Sequence, residues 1–63
     1  MKFTLTLNCD NDAFSDSDGA RSAEIARILR TIARRIRDYD ESSGMARDRY
    51  GNTVGTFFLD EED

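Results

Sequence analysis

Residues 20–39 read ARSAEIARILRTIARRIRDY, and this stretch decides the fold. Isoleucine and leucine recur three and four positions apart, the spacing that places side chains on one face of an α-helix. The apolar stripe contains Ile25, Ile28, Leu29, Ile32, Ile36 and Tyr39. The following Ser42-Ser43-Gly44 breaks the pattern, and Gly44 suits the left-handed conformation that often ends a helix. The sequence therefore predicts a helix over residues 20–39.

The opposite face of this helix is basic. Its exposed side chains are Arg27, Arg30, Arg34 and Arg37. Carboxylates stand four residues after two of these arginines, a spacing that allows ion pairs along a helix. We therefore expect ion pairs between Arg34 and Asp38 and between Arg37 and Glu41.

The segments on either side of the helix have the pattern of strands. Residues 2–9 alternate polar and apolar, which predicts a strand, and residues 45–59 predict a hairpin that turns at Gly51-Asn52. A two-residue loop would put Ala46 and Phe57 on one face, whereas a three-residue loop would reverse one strand, so the register stays open. The order β-α-β-β predicts an α+β fold: a two-layer βαββ domain with a three-stranded sheet on one helix.

Two acidic segments frame these elements. Residues 10–19 predict a loop with Phe14 as its apolar anchor, and residues 60–63 predict a solvated tail. The loop resembles an EF-hand calcium site only partly, because the first and twelfth ligand positions fall on Phe14 and Ile25. We therefore expect a solvated loop that precedes the helix, and no metal site.

Enzymatic chemistry has little support in these residues. The chain has no histidine, and Gly51 and Gly55 do not open a helix as the glycines of a phosphate-binding loop do. Cys9 alternates with the apolar face of the first strand, which favours a buried, unreactive thiol. We expect no catalytic residues, no cofactor and no enzymatic activity.

Length and composition limit the remaining possibilities. A chain of 63 residues buries a small core, and a single cysteine cannot form an internal disulfide. Self-association could supply the missing stability, and we expect a homodimer. The sequence shows no apolar run long enough to cross a bilayer and no secretory signal, so we expect a cytoplasmic protein without membrane contact.

Arginine and tyrosine are the residues that most often anchor interfaces, and eight of the nine basic residues are arginines. The predicted partner-binding residues are Arg27, Arg30, Arg34, Arg37, Arg47, Arg49 and Tyr50. A protein that presents carboxylates to these arginines is the expected partner. The alternative is a small nucleic-acid-binding regulator that uses the arginine face, against which stand thirteen acidic residues and a formal charge of −4.

Three segments carry a resemblance to a known group of proteins. They are residues 8–14, residues 24–30 with Ala33 and Arg35-Ile36, and Arg47-Asp48 with residues 51–55. In these the chain resembles short bacteriophage and prophage proteins of unknown function. The resemblance implies a viral gene context, in which proteins of this size often bind and inhibit a host defence component, as anti-CRISPR proteins do.

Overall fold

The computed structural model describes residues 1–61, which form one antiparallel sheet and one long helix. In chain order the elements are strand β1 (Lys2–Leu7), a short 3-10 helix (Asp12–Phe14), helix α1 (Ala20–Tyr39), strand β2 (Ser43–Arg47) and strand β3 (Thr53–Asp60). The strand order in the sheet is β1-β3-β2. The prediction of an α+β fold with βαββ order is confirmed.

Strand β3 lies at the centre of the sheet, with both neighbours antiparallel to it. It is the longest strand, with eight residues, and a central strand can use the backbone hydrogen bonds of both its edges. Phe57 of β3 stands opposite Leu5 of β1 and Gly44 of β2. These three residues therefore lie side by side on the face that carries the helix.

The core lies between this face and the helix. Its buried residues are Ala13, Phe14, Ile28, Ile32, Ala46, Val54 and Phe57. Phe14 is 4% exposed, so its predicted role as the anchor of the acidic loop is confirmed. Ala46 and Phe57 share the core, although the loop between their strands is longer than the two residues that would have placed them on one face.

The helix spans the predicted residues, but the predicted role of Gly44 in ending it is wrong. Asp40 takes the left-handed conformation instead, with φ 54°, and its N–H bonds to the carbonyls of Arg35 and Ile36. Gly44 lies in β2, where a Cβ would stand 3.0 Å from the Phe57 ring and would collide with the Arg35 guanidinium. The absence of a side chain at Gly44 therefore allows Arg35 and the Phe57 ring to pack closely against β2.

Three residues of the predicted apolar stripe are exposed, namely Leu29, Ile36 and Tyr39. A helix of twenty residues is about 30 Å long, whereas the six residues of β1 extend about 20 Å. The helix also leans toward β2, since Arg27 and Arg35 both donate to carbonyls of that strand. Its side toward β1 consequently remains partly uncovered.

The predicted ion pairs of the helix are also wrong. Arg37 pairs with its neighbour Asp38 at 2.8 Å, and Glu41 pairs with Arg35 at 3.0 Å. The left-handed turn at Asp40 redirects the chain, so that the N–H of Glu41 approaches the carbonyl of Arg35. Glu41 therefore leaves the helical spacing that would have brought it to Arg37.

The hairpin differs from the prediction in its loop. Strand β2 ends at Arg47 rather than continuing to Tyr50, and residues 48–52 connect it to β3. The Asp48 carboxylate accepts the N–H groups of Tyr50 and Asn52, which closes this longer loop. A bulge follows, because Ala46 pairs with Gly55 whereas Arg47 pairs with Thr53. The extra residue, Val54, is buried in the core.

The remaining boundaries shift by a few residues. Strand β1 stops at Leu7, because the Asn8 side chain turns back to accept the N–H of Asp10, and Cys9 packs half-buried against the core. Asp60, predicted to begin the acidic tail, is the last residue of β3. Glu62 and Asp63 of that tail lie outside the described residues. Across residues 1–61, no helix has the length and apolarity needed to span a membrane.

The close approach of β1 and β3 at Gly55 generates a test of the fold. A Cβ at Gly55 would overlap the backbone carbonyl of Thr6, which cannot move without breaking the strand pairing. Gly55→Ala should lower the free energy of unfolding by about 2 kcal/mol or more. Thr56→Ala, at an exposed neighbour, should lower it by less than about 1 kcal/mol. Urea titration followed by circular dichroism measures both, and equal effects would contradict the packing described.

Candidate functional site

Four of the predicted partner-binding arginines line a shallow groove on the outer side of α1. Its lining residues are Arg27, Arg30, Thr31, Ala33, Arg34 and Arg37. The arginines follow one another at three- and four-residue spacing, so the regular helix turns all of them to one side. The floor of this groove is formed by the short side chains of Thr31 and Ala33, which lie between the guanidinium groups. The groove offers several guanidinium groups to an anionic ligand or surface.

A second groove continues this surface between α1 and the hairpin. Arg27 and Thr31 line both grooves, and the lining of the second groove also includes Arg47 and Arg49. We call Arg27, Arg30, Arg34, Arg37, Arg47 and Arg49 the arginine surface. The fold thus brings two separate parts of the chain, residues 27–37 and residues 47–49, to one side of the molecule.

The arginines of this surface are not equally free. Arg27 makes two hydrogen bonds to Glu24, at 2.8 and 2.9 Å, and one to the carbonyl of Arg47 at 3.1 Å. Arg37 pairs with Asp38. Within residues 1–61, the side chains of Arg30 and Arg34 are exposed and make no hydrogen bond or ion pair, so their guanidinium groups are accessible.

The seventh predicted residue, Tyr50, lies at the end of this surface. The Arg49 guanidinium stands 5.1 Å from the centre of the Tyr50 ring and donates to the Asp16 carboxylate at 2.5 Å. The Tyr50 hydroxyl donates to the same carboxylate. The hydrogen bond from Tyr50 and then that from Arg49 lower the pKa of Asp16 below its usual value. These contacts therefore connect Asp16 of the acidic loop to the hairpin.

Two buried carboxylates support the arginine surface from below. Glu24 is 4% exposed, and its Oε2 accepts the backbone N–H of Arg49 at 2.7 Å in addition to the bonds from Arg27. This carboxylate therefore fixes the hairpin loop to the first half of the helix. The hydrogen bond from Arg27 lowers the pKa of Glu24, although burial acts in the opposite direction.

The second buried carboxylate, Asp48, is also 4% exposed. Its two oxygens accept backbone N–H groups of Tyr50 and Asn52 and side-chain amides of Asn11 and Asn52, at 2.7–3.3 Å. Burial by itself would raise the pKa of Asp48, but these hydrogen bonds together lower it. Asp48 thus organises the hairpin loop and holds it to the segment after β1.

Sequence reasoning missed both carboxylates. Glu24 stands four residues before Ile28, so it lies close to the apolar stripe, and a charged residue there was a possible signal of a buried contact. Asp48 could have been suspected from its place before a turn, where its side chain bonds nearby backbone N–H groups. Neither pattern indicates the distant partner of the carboxylate, which is Arg49 for Glu24 and Asn11 for Asp48.

The acidic loop has its own internal contacts. Asn11 caps the 3-10 helix by accepting the N–H of Ala13 at 3.0 Å. In the part of the chain that the structure describes, no three cysteine, aspartate or glutamate side chains form a group able to hold a metal ion.

Comparison with protein-family models, with curated proteins and with solved structures finds no match to this chain. The resemblance to short phage proteins therefore stays a prediction. Its three segments nevertheless meet in the structure, since Asn11, Glu24, Arg27, Asp48 and Asn52 belong to the contacts that join the loop, the helix and the hairpin.

The buried carboxylate of Glu24 predicts a pH dependence of stability. Its pKa is lower in the folded chain than in the unfolded chain, where the pKa of glutamate is about 4.3. The stabilisation is therefore complete above that pH and disappears as the pH falls through the folded pKa. Glu24→Gln should be less stable than the wild type at neutral pH, by about 1–2 kcal/mol, and the difference should shrink toward pH ~3.

Urea titrations between neutral pH and pH ~3 measure this difference. Glu61→Gln, at an exposed position, serves as the control and should track the wild type throughout. A stability difference for Glu24→Gln that stays constant with pH would show that the carboxylate charge is not what stabilises the junction.

The unequal pairing of the arginines predicts unequal effects of their removal. Arg27→Ala takes the charged donor away from buried Glu24 and should lower the free energy of unfolding by about 2 kcal/mol. Arg30→Ala should change it by less than about 0.5 kcal/mol, since the side chain is exposed and unpaired. Thermal and urea unfolding of the two variants distinguish a structural arginine from a free one.

Proposed function

We propose that this chain is a non-enzymatic, phage-type interaction protein that binds a host protein and inhibits or modulates it, with a defence-system component as the leading target. The observation that carries the proposal is the pair Arg30 and Arg34, two exposed guanidinium groups without internal partners in the described chain, at the centre of a groove lined by further arginines. Arginine suits such a role because its planar fork binds carboxylates through two parallel hydrogen bonds.

Charge distribution favours a protein partner over nucleic acid. Asp18 lines the depression that Arg27, Arg30 and Arg49 also border, and Asp16 pairs with Arg49. These carboxylates would approach a phosphate backbone unfavourably, whereas a protein surface can present carboxylates to the arginines and donors to the aspartates. The formal charge of −4 acts in the same direction by opposing general attraction to nucleic acid.

We also propose that the protein acts as a homodimer. The core contains few buried side chains, and large apolar residues remain exposed on both faces of the sheet and on the helix. Pairing of two copies would cover part of this surface. A dimer would also present two arginine surfaces to its target.

The first experiment is a pull-down from bacterial lysate with the tagged protein, with and without nuclease. A host protein retained in stoichiometric amount after nuclease treatment supports the proposal. Recovery of nucleic acid, together with binding that weakens steeply as salt rises, supports the alternative of a nucleic-acid-binding regulator. Recovery of the bait alone contradicts both in the strain used.

The arginine surface is then tested with the purified target. The double variant Arg30→Ala, Arg34→Ala should weaken binding at least about thirtyfold, the effect of losing about 2 kcal/mol at an interface. Arg21→Ala is the matched control, because Arg21 is an exposed helical arginine that lines none of the three depressions described. Titration calorimetry measures all three proteins, and equal effects of the double variant and the control would place the binding surface elsewhere.

An inhibitory role is tested in cells. Expression of the protein in strains that each carry one defined defence system should restore phage plating in the strain whose component it binds. The double variant should fail to restore plating, and Arg21→Ala should succeed. Restoration by the double variant would separate the activity from the arginine surface.

A further inference from the structure

Strand β1 forms one edge of the sheet, and its outer backbone groups have no partner among residues 1–61. The N–H of Asn8 bonds to the carbonyl of Val54 at 2.7 Å, which shows that the even-numbered residues of this segment face β3. In an antiparallel ladder the alternate residues point the other way. The outward residues are therefore Phe3, Leu5 and Leu7, and no hydrogen bond within residues 1–61 occupies their outer groups.

The opposite edge, strand β2, is protected. The Arg35 guanidinium donates to the carbonyl of Met45 at 2.7 Å, and that of Arg27 donates to the carbonyl of Arg47 at 3.1 Å. Two of the outward carbonyls of β2 are thus already occupied by helix side chains, which discourages addition of another strand. Among the strands of residues 1–61, β1 is therefore the one whose outer edge is open.

An apolar surface adjoins this open edge. On a helix at 100° per residue, Leu29 and Ile36 lie on the side of Ile28 opposite to Arg27 and Arg35, which contact β2. Leu29 and Ile36 consequently face the β1 side, where Phe3 is 47% exposed. Exposed Ala33 follows Leu29 around the helix, so the helix residues between the strand edge and the arginine surface are uncharged.

We propose that this edge is the dimer interface, at which β1 of one copy pairs antiparallel with β1 of a second copy about a twofold axis at Leu5. The two sheets then form one six-stranded sheet. The inference refines the homodimer part of the proposed function and is independent of any host target.

The residues of β1 are complementary to themselves in this register. On the helix side of the sheet, Phe3 stands opposite Leu7 of the second copy and Leu5 opposite its counterpart, so apolar side chains meet. On the outer side, Thr4 stands opposite Thr6, and Lys2 stands opposite Asn8. No like charges oppose each other, and a twofold interface requires such self-complementarity.

Other surfaces suit a second copy less well. Two arginine surfaces would repel each other, and the outer face of the sheet places Phe58 and Met45 among threonine and serine residues without an unpaired backbone edge. In the part of the chain that the structure describes, the β1 edge combines free backbone donors and acceptors with an uncharged apolar strip, and the other surfaces do not.

Hydrogen exchange tests the register directly. The amides of Phe3, Leu5 and Leu7 should be protected in proportion to the dimer fraction, and should exchange at least about tenfold faster in a sample diluted below the dissociation constant. The outward amides of β2 at Met45 and Arg47 are the internal control and should not depend on concentration. Protection of the β2 amides instead, or no dependence in β1, would overturn the proposal.

Analytical ultracentrifugation of matched variants locates the interface. Leu29→Lys, at a side chain 45% exposed, should weaken dimerisation at least about tenfold, whereas Phe58→Lys, at one 46% exposed, should leave it unchanged. Circular dichroism verifies that both variants fold, and Ile36→Lys replaces Leu29→Lys if that variant does not. A wild type that stays monomeric at millimolar concentration, or a dimer broken only by Phe58→Lys, would overturn the proposal.

The same measurement separates this inference from the proposed function. The double variant Arg30→Ala, Arg34→Ala should remain dimeric, because both residues lie outside the β1 edge. Loss of target binding in that variant therefore bears only on the arginine surface. Loss of dimerisation in Leu29→Lys bears only on the interface.

Discussion

The ring of Phe57 is the point on which the rest of the structure depends. It is 1% exposed, it stands at the centre of the middle strand, and it lies between Leu5 and Gly44 of the two neighbouring strands. The Arg35 guanidinium covers the ring at 5.0 Å from its centre while bonding to Glu41 and to the carbonyl of Met45. One aromatic side chain thus joins the sheet, the end of the helix and the turn that follows it. Gly44 is fixed by the same contact, because any side chain there would meet the ring.

Around this apolar centre, polar groups complete the connections that a small core cannot make. Buried carboxylates are stable only when hydrogen bonds replace the water they have lost. Glu24 meets this condition through Arg27 and the backbone of Arg49, and no buried side-chain polar atom in residues 1–61 lacks a partner. The cost of burying the charge is thereby offset, and the hairpin loop is held in one position relative to the helix. Arg27 thus stabilises the fold, whereas Arg30 and Arg34 take no part in these contacts and are the arginines that we propose for recognition.

The two edges of the sheet differ for a related reason. Helix α1 leans toward β2, so its arginines reach the outer carbonyls of that strand, and its apolar side toward β1 stays partly open. The same tilt therefore creates a protected basic side and an unprotected apolar side. The basic side suits the proposed recognition of an acidic surface. The apolar side suits the proposed association with a second copy. Their separation on opposite sides of one helix would allow both contacts at the same time.

The sequence by itself determined the order of the elements, the span of the helix and the anchoring role of Phe14, because hydrophobic periodicity and local backbone preferences are properties of neighbouring residues. It also determined which arginines share the outer face of the helix, since a regular helix fixes their directions. Tertiary structure alone decided the strand order, the bulge that buries Val54, and the exposure of Leu29 and Ile36. It also decided that Glu41 pairs with Arg35 and not with Arg37. These features depend on contacts between residues far apart in the chain, such as Asn11 with Asp48 and Glu24 with Arg49, and the spacing of residues along one segment carries no information about them.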